Sequence, residues 1–143
     1  MKILIINGPN LNLLGKRDPE QYGNLTLKEI NAQISEKFPM HEFTFIQSNH
    51  EGEIIDAIQD AESNGFSGIV INPGGYSHSS VAIRDALEIV KIPKIEVHLS
   101  NLTKREDYRQ KNITATATNG YLSGFGEKGY FAAIYLLEEI ALR

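Results

Sequence analysis

Three short segments of the sequence combine side chains that can transfer protons or bind anions. The first, residues 7–22, contains Asn10, Arg17 and Tyr22. A free tyrosine ionises near pH ~10, and a neighbouring guanidinium stabilises the phenolate, so this pair could supply a strong base. Taken alone, the segment could equally be a solvent-exposed surface loop.

The second segment carries a carboxylate and an imidazole in one predicted strand. Glu96 and His98 are two residues apart, so their side chains point to the same face of a strand. A carboxylate beside an imidazole favours the imidazolium, which is the form that a general acid requires. The alternative is a histidine that is only hydrogen-bonded at the end of a strand.

Two arginines follow this strand and suggest an anion site. Arg105 and Arg109 are four residues apart, and on a helix they would share one face. Together with the backbone N–H groups of Leu99 and Ser100, they could bind a carboxylate. They could equally pair with the two acidic side chains that lie between them.

The third segment, residues 72–80, contains two glycines, which permit positive φ and the close approach of a ligand. Ser77, His78 and the later Asp85 suggest a Ser-His-Asp hydrolase. The G-x-S-x-G motif that would expose such a serine fails, because Ser79 occupies the position of the second glycine. A hydrolase is therefore disfavoured.

Hydrophobic periodicity predicts the elements that position these segments. Short β-branched runs alternate with stretches of helical periodicity, which is typical of a parallel sheet covered by helices. The strands are predicted at residues 3–7, 43–48, 68–72, 94–98 and 118–123. Helices are predicted from residue 26 onward and over residues 52–64, 80–91 and 129–142, with a short one at 103–110. Capping boxes, Thr26-x-x-Glu29 and Thr103-x-x-Glu106, mark the starts of the first helix and the short one.

This order predicts a flavodoxin-like, doubly wound α/β fold, with a five-stranded parallel sheet in a single domain over residues 1–143. In such sheets ligands bind beyond the carboxyl ends of the strands, where the three segments would meet. Residues 8–25 form an 18-residue connection, whereas an ordinary βα loop has ~2–6 residues. Such a length is typical of a functional lid or a disordered loop.

The composition excludes several classes of function. A net charge of −4, with no run of more than two basic residues, disfavours a nucleic-acid partner. The absence of cysteine excludes disulfide scaffolds, iron–sulfur clusters, thiolate zinc sites and cysteine nucleophiles. Because the sequence has no membrane-length apolar run and no signal peptide, we expect a soluble, cytoplasmic protein without a membrane partner.

A glycine motif near the end of the chain matches a dinucleotide-binding fingerprint but is not predicted to be one. Gly124, Gly126 and Gly129 fit G-x-G-x-x-G between a predicted strand and helix. Only fourteen residues follow Gly129, which leaves no room for the second strand and the ribose-binding acid. We expect these glycines to permit close packing of the strand and the helix.

Neither a metal site nor a response-regulator site is predicted. The four histidines have no metal-ligand spacing, and His41 and His50 are expected to be ordinary surface or loop residues. A response regulator needs acidic residues at the ends of its first and third strands, where this sequence has Asn7 and Asn72.

Three collinear blocks, residues 6–23, 71–87 and 95–109, together resemble the type II 3-dehydroquinate dehydratases, and the match extends to residues 124–130. The resemblance implies a flavodoxin-like lyase of the shikimate pathway, which removes water from 3-dehydroquinate through an enolate and needs no cofactor. It also implies a homo-oligomer, a dodecamer of four trimers. Residues 110–119 depart from the family's usual sequence, and we expect this departure to affect local packing or an interface rather than the chemistry.

The resemblance also assigns roles to individual residues. By position, Tyr22 matches the proton acceptor, Arg17 the group that stabilises its phenolate, and His98 the proton donor. Asn10 matches an asparagine that holds a water near the enolate, and Glu96 matches the support of the histidine. The substrate-binding positions are matched by Asn72, His78, Asp85, Leu99, Ser100, Arg105 and Arg109.

Two features bear on assembly. Residues 130–137 of the last predicted helix are apolar on nearly every face, which indicates either a subunit contact or deep burial within one chain. The resemblance adds that the counterpart of Asp85 reaches the active site of a neighbouring subunit.

Two other functions are weighed against the dehydratase. One is a non-catalytic flavodoxin-like module that binds a phosphate-bearing ligand. The other is a dehydratase that forms a Schiff base on a lysine. The second is disfavoured because no lysine occupies the matched strand-end positions, and Lys94 opens its strand at the opposite end.

Overall fold

Five parallel strands form one sheet across residues 1–142, the part of the chain that this computed structural model describes. The strands are β1 (Lys2–Asn7), β2 (Glu42–Gln47), β3 (Gly68–Asn72), β4 (Lys94–His98) and β5 (Gly120–Ser123). Their spatial order is β2-β1-β3-β4-β5, and every neighbouring pair is parallel. This topology confirms the predicted flavodoxin-like fold.

Helices connect the strands and cover the sheet. Within the described residues they are α1 (Pro19–Tyr22), α2 (Leu27–Lys37), α3 (Glu51–Gln59), α4 (Val81–Ile89) and α5 (Lys128–Ala141). α2 begins with the predicted capping box, in which Thr26 Oγ1 accepts from Glu29 N at 3.2 Å and the Glu29 carboxylate accepts from Thr26 N at 3.3 Å. No helix in residues 1–142 is long and apolar enough to span a membrane.

The core has two layers because successive residues of β1 point to opposite faces of the sheet. Ile3 and Ile5 pack in one cluster with side chains of α2 and α5, whereas Leu4 and Ile6 pack in the other with α3 and α4. These four side chains are almost completely buried, and each contributes roughly 1.5–3 kcal/mol of transfer free energy. The two layers therefore hold the strands, and with them the carboxyl ends, in fixed positions.

The predicted short helix over residues 103–110 is wrong. Two 3-10 turns take its place, Leu102–Lys104 and Asp107–Gln110. Extended backbone at Arg105 separates the two turns. The predicted cap fails because Asn101, rather than Thr103, begins the first turn: Asn101 Oδ1 accepts from Thr103 N at 3.2 Å and from Thr103 Oγ1 at 2.6 Å.

Candidate active site

The carboxyl ends of β1, β3 and β4 open into a cavity of about 120 Å³. Ten of the twelve predicted site residues line it: Asn10, Arg17, Tyr22, Asn72, His78, His98, Leu99, Ser100, Arg105 and Arg109. Of the other two, Glu96 contacts a lining residue, whereas Asp85 lies on a different surface of the chain.

Arg17 and Tyr22 meet through the face of the phenol ring. The Arg17 Cζ atom lies 3.8 Å from the centroid of the Tyr22 ring, and the Arg105 Cζ atom lies 5.3 Å from it. The short helix α1 brings the pair together, because Tyr22 N bonds to the Asp18 carbonyl at 3.0 Å and the chain turns back towards Arg17. The phenol therefore has two guanidinium groups as neighbours, an arrangement in which cations interact favourably with the ring.

Glu96 and His98 form a buried pair at the end of β4. The Glu96 side chain is fully buried, and its Oε2 atom lies 2.6 Å from His98 Nε2. The predicted same-face placement is thus confirmed. With Nε2 held by Glu96, Nδ1 is the ring nitrogen of His98 that is left to act on a ligand. Sequence reasoning missed the third member of this group: Thr114 Oγ1, also fully buried, lies 2.5 Å from Glu96 Oε1.

His78 is held as a neutral imidazole beside His98. Its Nδ1 lies 2.8 Å from the Lys111 carbonyl, which can only accept, so Nδ1 carries the proton and, in the neutral ring, Nε2 is an acceptor. Burial lowers the pKa of His78 below its ordinary value. The His78 and His98 rings stack with their centroids 6.3 Å apart. With Nδ1 protonated and Nε2 free, His78 is suited to accept a hydrogen bond from a hydroxyl group of a ligand.

Two arginines and Ser100 supply the anion-binding side of the cavity. Arg105 Nη1 donates to Ser100 Oγ at 3.2 Å, and Arg105 Nε is buried without a protein partner among residues 1–142. Arg109 Nε donates to Glu106 Oε2 at 2.5 Å. Burial works against the charged form of Arg109, but the hydrogen bond to Glu106 and the Coulombic attraction of Glu106 and two nearby tyrosines together outweigh it, and the pKa of Arg109 is raised. The alternative of an ion pair with a neighbouring acid therefore holds for Arg109, which lines the cavity as well.

Asn72 is oriented by a buried tyrosine that the sequence analysis did not single out. Asn72 Oδ1 accepts from Gly74 N at 3.1 Å, while Asn72 Nδ2 donates to the Tyr130 hydroxyl at 3.3 Å. That hydroxyl in turn donates to Asn7 Oδ1 at 2.5 Å. Desolvation strongly raises the pKa of Tyr130, so it acts here as a neutral hydrogen-bonding group. No sequence motif links Tyr130 to β1 and β3, because the contact arises only when α5 packs on the sheet.

The Asn10 backbone adopts a left-handed conformation, with φ of 69°. Asn10 N donates to Asn49 Oδ1 at 3.0 Å, and Gln47 Nε2 donates to the same oxygen at 3.2 Å. The loops after β1 and β3 pass so closely that a Cβ on Gly8 would lie 2.4 Å from the Pro73 carbonyl oxygen. A side chain at Gly8 would therefore push apart the two loops that form the cavity floor.

Asp85 lies outside the cavity of its own chain. It is exposed on α4, and its side chain pairs with Arg84 at 3.2 Å. The expectation that Asp85 reaches a neighbouring subunit stays a prediction.

The glycine motif near the end of the chain and His41 lie outside the cavity, in packing and hydrogen-bonding contacts. A Cβ on Gly129 would lie 3.1 Å from Val97 Cγ1, which confirms the predicted close packing of helix against strand for this glycine; a Cβ on Gly124 would instead meet Asn101, and one on Gly126 would meet nothing within 4 Å. His41 lies in the loop before β2, as predicted, but it is not a surface residue: its side chain is only 7% exposed, and it lies 2.5 Å from a carboxylate oxygen of Glu138. No group of three His, Cys, Asp or Glu side chains within residues 1–142 is placed to hold a metal ion.

Comparison with known proteins gives consistent matches over nearly the full chain. The family model described as "Dehydroquinase class II" matches residues 1–138. The 3-dehydroquinate dehydratase of Clostridium botulinum (strain Loch Maree / Type A3) is 52% identical, with 98% of this chain and 97% of the relative covered. That of Thermotoga neapolitana is 48% identical, with 99% and 97% covered.

Solved structures agree with the sequence matches. The type II dehydroquinase of Butyrivibrio crossotus superposes with a TM-score of 0.94 at 52% identity, covering 96% of this chain and 97% of the other. The type II dehydroquinase of Propionibacterium acnes superposes with a TM-score of 0.90 at 35% identity, covering 96% of each chain.

Proposed function

Because the chain belongs to the class II dehydroquinase family, a family of hydro-lyases, we propose that it converts 3-dehydroquinate to 3-dehydroshikimate in the shikimate pathway. The observation that carries this proposal is the placement of an arginine–tyrosine pair and a glutamate–histidine pair around one cavity. Elimination of water next to a ketone needs one group to remove a proton and another to protonate the leaving hydroxide.

Tyr22 is the base in this mechanism. Its phenolate removes a proton from C2 of the substrate, next to the C3 ketone, and leaves an enolate. A weakly acidic carbon calls for a base stronger than a carboxylate, which a phenolate provides. The guanidinium of Arg17, 3.8 Å from the ring centroid, would stabilise the phenolate and the negative charge that develops as the proton moves.

Asn10 stabilises the enolate through a water that its side chain holds near the developing oxyanion. Donors fixed in place before the reaction are effective because they need not reorganise when charge develops. The bonds from Gln47 and Asn10 to Asn49 support this role, since they fix the backbone that carries the Asn10 side chain.

His98 is the acid of the second step. As an imidazolium it protonates the C1 hydroxyl, which then leaves as water and gives the conjugated enone. Glu96 favours the imidazolium by placing a carboxylate oxygen 2.6 Å from Nε2. The proton passes from Nδ1, the nitrogen that Glu96 leaves free.

Substrate binding uses the remaining lining residues. Ser100, Arg105 and Arg109, with the backbone of Leu99, take the carboxylate, because hydrogen bonds between cations and carboxylates are the stronger kind. Asn72 and His78 bind the substrate's hydroxyl groups, and the acceptor Nε2 of His78 fits that part. Every step uses groups of the chain, so the mechanism needs no cofactor.

We also propose that the enzyme is a cytoplasmic dodecamer of four trimers. α5 supports an assembly, because it buries one face yet keeps Tyr135 56% and Leu136 37% exposed. Asp85 on the exposed surface of α4 would then complete the site of a neighbouring subunit. Twelve chains of 16.0 kDa amount to about 192 kDa, which sedimentation equilibrium would detect. An active monomer would contradict the assembly.

An ultraviolet assay tests the activity directly. The purified protein should convert 3-dehydroquinate to a product with the absorbance of a conjugated enone, without added cofactor. A protein that produced no enone but retained flavin or nucleotide would instead be the binding module considered above, which the family match does not favour. Borohydride should not trap the substrate on the protein, since no lysine in the described part of the chain, residues 1–142, lines the cavity.

A further inference from the structure

We propose that Thr114 is a positioning residue for the proton donor, acting on His98 through Glu96. The inference rests on the proposed function, because it concerns the second, acid-catalysed step. Thr114 lies in residues 110–119, whose departure from the family's usual sequence was expected to affect local packing or an interface rather than the chemistry. Thr114 is 18 positions from Glu96 in the sequence, yet its hydroxyl donates a hydrogen bond to the Glu96 carboxylate in the folded chain.

The three side chains form a continuous buried chain of hydrogen bonds. Thr114 and Glu96 are both 0% exposed, and His98 is 5% exposed. The Thr114 Oγ1 atom lies 2.5 Å from Glu96 Oε1, and Glu96 Oε2 lies 2.6 Å from His98 Nε2. An ionised carboxylate only accepts, so the threonine hydroxyl donates to one oxygen and the histidine ring to the other.

The hydroxyl has an energetic role because Glu96 has no access to water. A buried carboxylate is costly unless its oxygens accept hydrogen bonds. Removing the Thr114 hydroxyl leaves Oε1 without a donor among residues 1–142, which disfavours the charged carboxylate. A weaker negative charge on Glu96 holds the proton on His98 less firmly, and also holds the ring less firmly in place.

The backbone around Thr114 is tied to the substrate-binding loop. Thr114 opens the 3-10 turn Thr114–Ala117, and the preceding Ile113 N donates to the Ser77 carbonyl at 2.7 Å. Ser77 is followed by His78, which lines the cavity. The bond between Ile113 and Ser77 therefore anchors the turn at the edge of the site, and the turn holds the Thr114 hydroxyl against the Glu96 carboxylate.

Thr114→Val tests the proposal, because it keeps the shape of the side chain and removes the hydroxyl. We expect the kcat for water loss to fall about 10- to 100-fold with little change in KM, since a hydrogen bond to a charged group is lost. The first step does not use His98. Exchange of the C2 proton with D2O, followed by NMR, should therefore rise relative to product formation.

Two further variants separate positioning from a general structural effect. Thr114→Ser keeps the donor and should restore most of the turnover. Thr118→Val is the matched control, because among residues 1–142 the Thr118 hydroxyl bonds only to the backbone carbonyls of Ala115 and Gly120. It should leave the exchange ratio at the wild-type value.

The outcomes distinguish this inference from the proposed function. A wild type that forms no enone would overturn both, whereas an active wild type with Thr114→Val within about twofold of it would overturn only the inference. Equal losses of exchange and product formation, or a failure of Thr114→Ser to restore turnover, would also overturn it. If Thr114→Val does not fold, the ratio of C2 proton exchange to product formation is measured in Thr114→Ala instead.

Discussion

Arg17 approaches Tyr22 through the face of the ring, and this geometry depends on the turn between them rather than on their spacing alone. Residues five apart in an extended loop would be far from each other. Here the four-residue helix α1 starts at the capping residue Asp18, whose Oδ1 accepts from Glu20 N at 3.0 Å. The turn folds Tyr22 back over Arg17, so the proposed base and its cation form one local unit.

The Tyr22→Phe substitution tests the proposed base. It keeps the ring under Arg17 and removes only the hydroxyl, so turnover should fall by about 10²–10⁴-fold while the melting temperature stays close to that of the wild type. The enone assay and a thermal melt measure the two effects. Tyr108→Phe, at an exposed tyrosine outside the cavity, is the control. Near-normal turnover of Tyr22→Phe would mean that another group is the base.

His78 makes the stability of the chain depend on pH. Because burial holds its pKa below the ordinary 6.5, the unfolded chain binds this proton more readily than the folded one. The stabilising contribution is complete above the unfolded pKa and is lost as the pH falls through it towards the lower folded value. Between about pH 7.5 and 5, the free energy of unfolding should fall more steeply in the wild type than in His78→Gln. Denaturant titrations at several pH values measure both slopes, and equal slopes would contradict the prediction.

The strands and the cap of α2 are the elements that the sequence predicts best, because local signals determine them. The continuous buried run of β1 and the Thr26–Glu29 box both appear where expected. The turns after β4 are not predictable in this way, since Thr103-x-x-Glu106 has the sequence of a capping box although Asn101 caps the turn by accepting from Thr103 N. Thr114 is missed for another reason: its partner Glu96 is remote in sequence, and only packing brings them together.

The α2 capping box should contribute to stability but not to catalysis. Thr26→Ala removes the Oγ1 acceptor of Glu29 N and should lower the free energy of unfolding by about 0.5–2 kcal/mol. No residue of α2 lines the cavity, so kcat should stay at the wild-type value. Urea titration and the enone assay measure these quantities. Ser35→Ala, at an exposed position inside the same helix, should change stability by less than about 0.5 kcal/mol. An equal effect of both variants would assign no special role to the cap.

A single chain brings together all of the predicted site residues except Asp85. Ten predicted residues line the cavity, and Glu96 supports one of them, but Asp85 is exposed on α4. A residue that the family resemblance predicts to be in the site, but that lies outside the cavity of its own chain, is what a site shared between subunits would require.

Mixing two impaired variants, Tyr22→Phe and Asp85→Asn, tests whether the site is shared between subunits. In Tyr22→Phe the base is lost, and in Asp85→Asn the charge that we expect to reach the neighbouring subunit is lost, so each homo-oligomer should be impaired by about tenfold or more. If Asp85 acts across the subunit contact, a mixed oligomer contains sites that combine Tyr22 of one chain with Asp85 of its neighbour. Co-refolded mixtures should therefore regain a fraction of wild-type turnover that depends on the mixing ratio, whereas the same variants mixed without unfolding should not. If Asp85 acts within its own chain, every mixed site still lacks one of the two groups, and activity that stayed at the level of the separate variants would contradict the shared site.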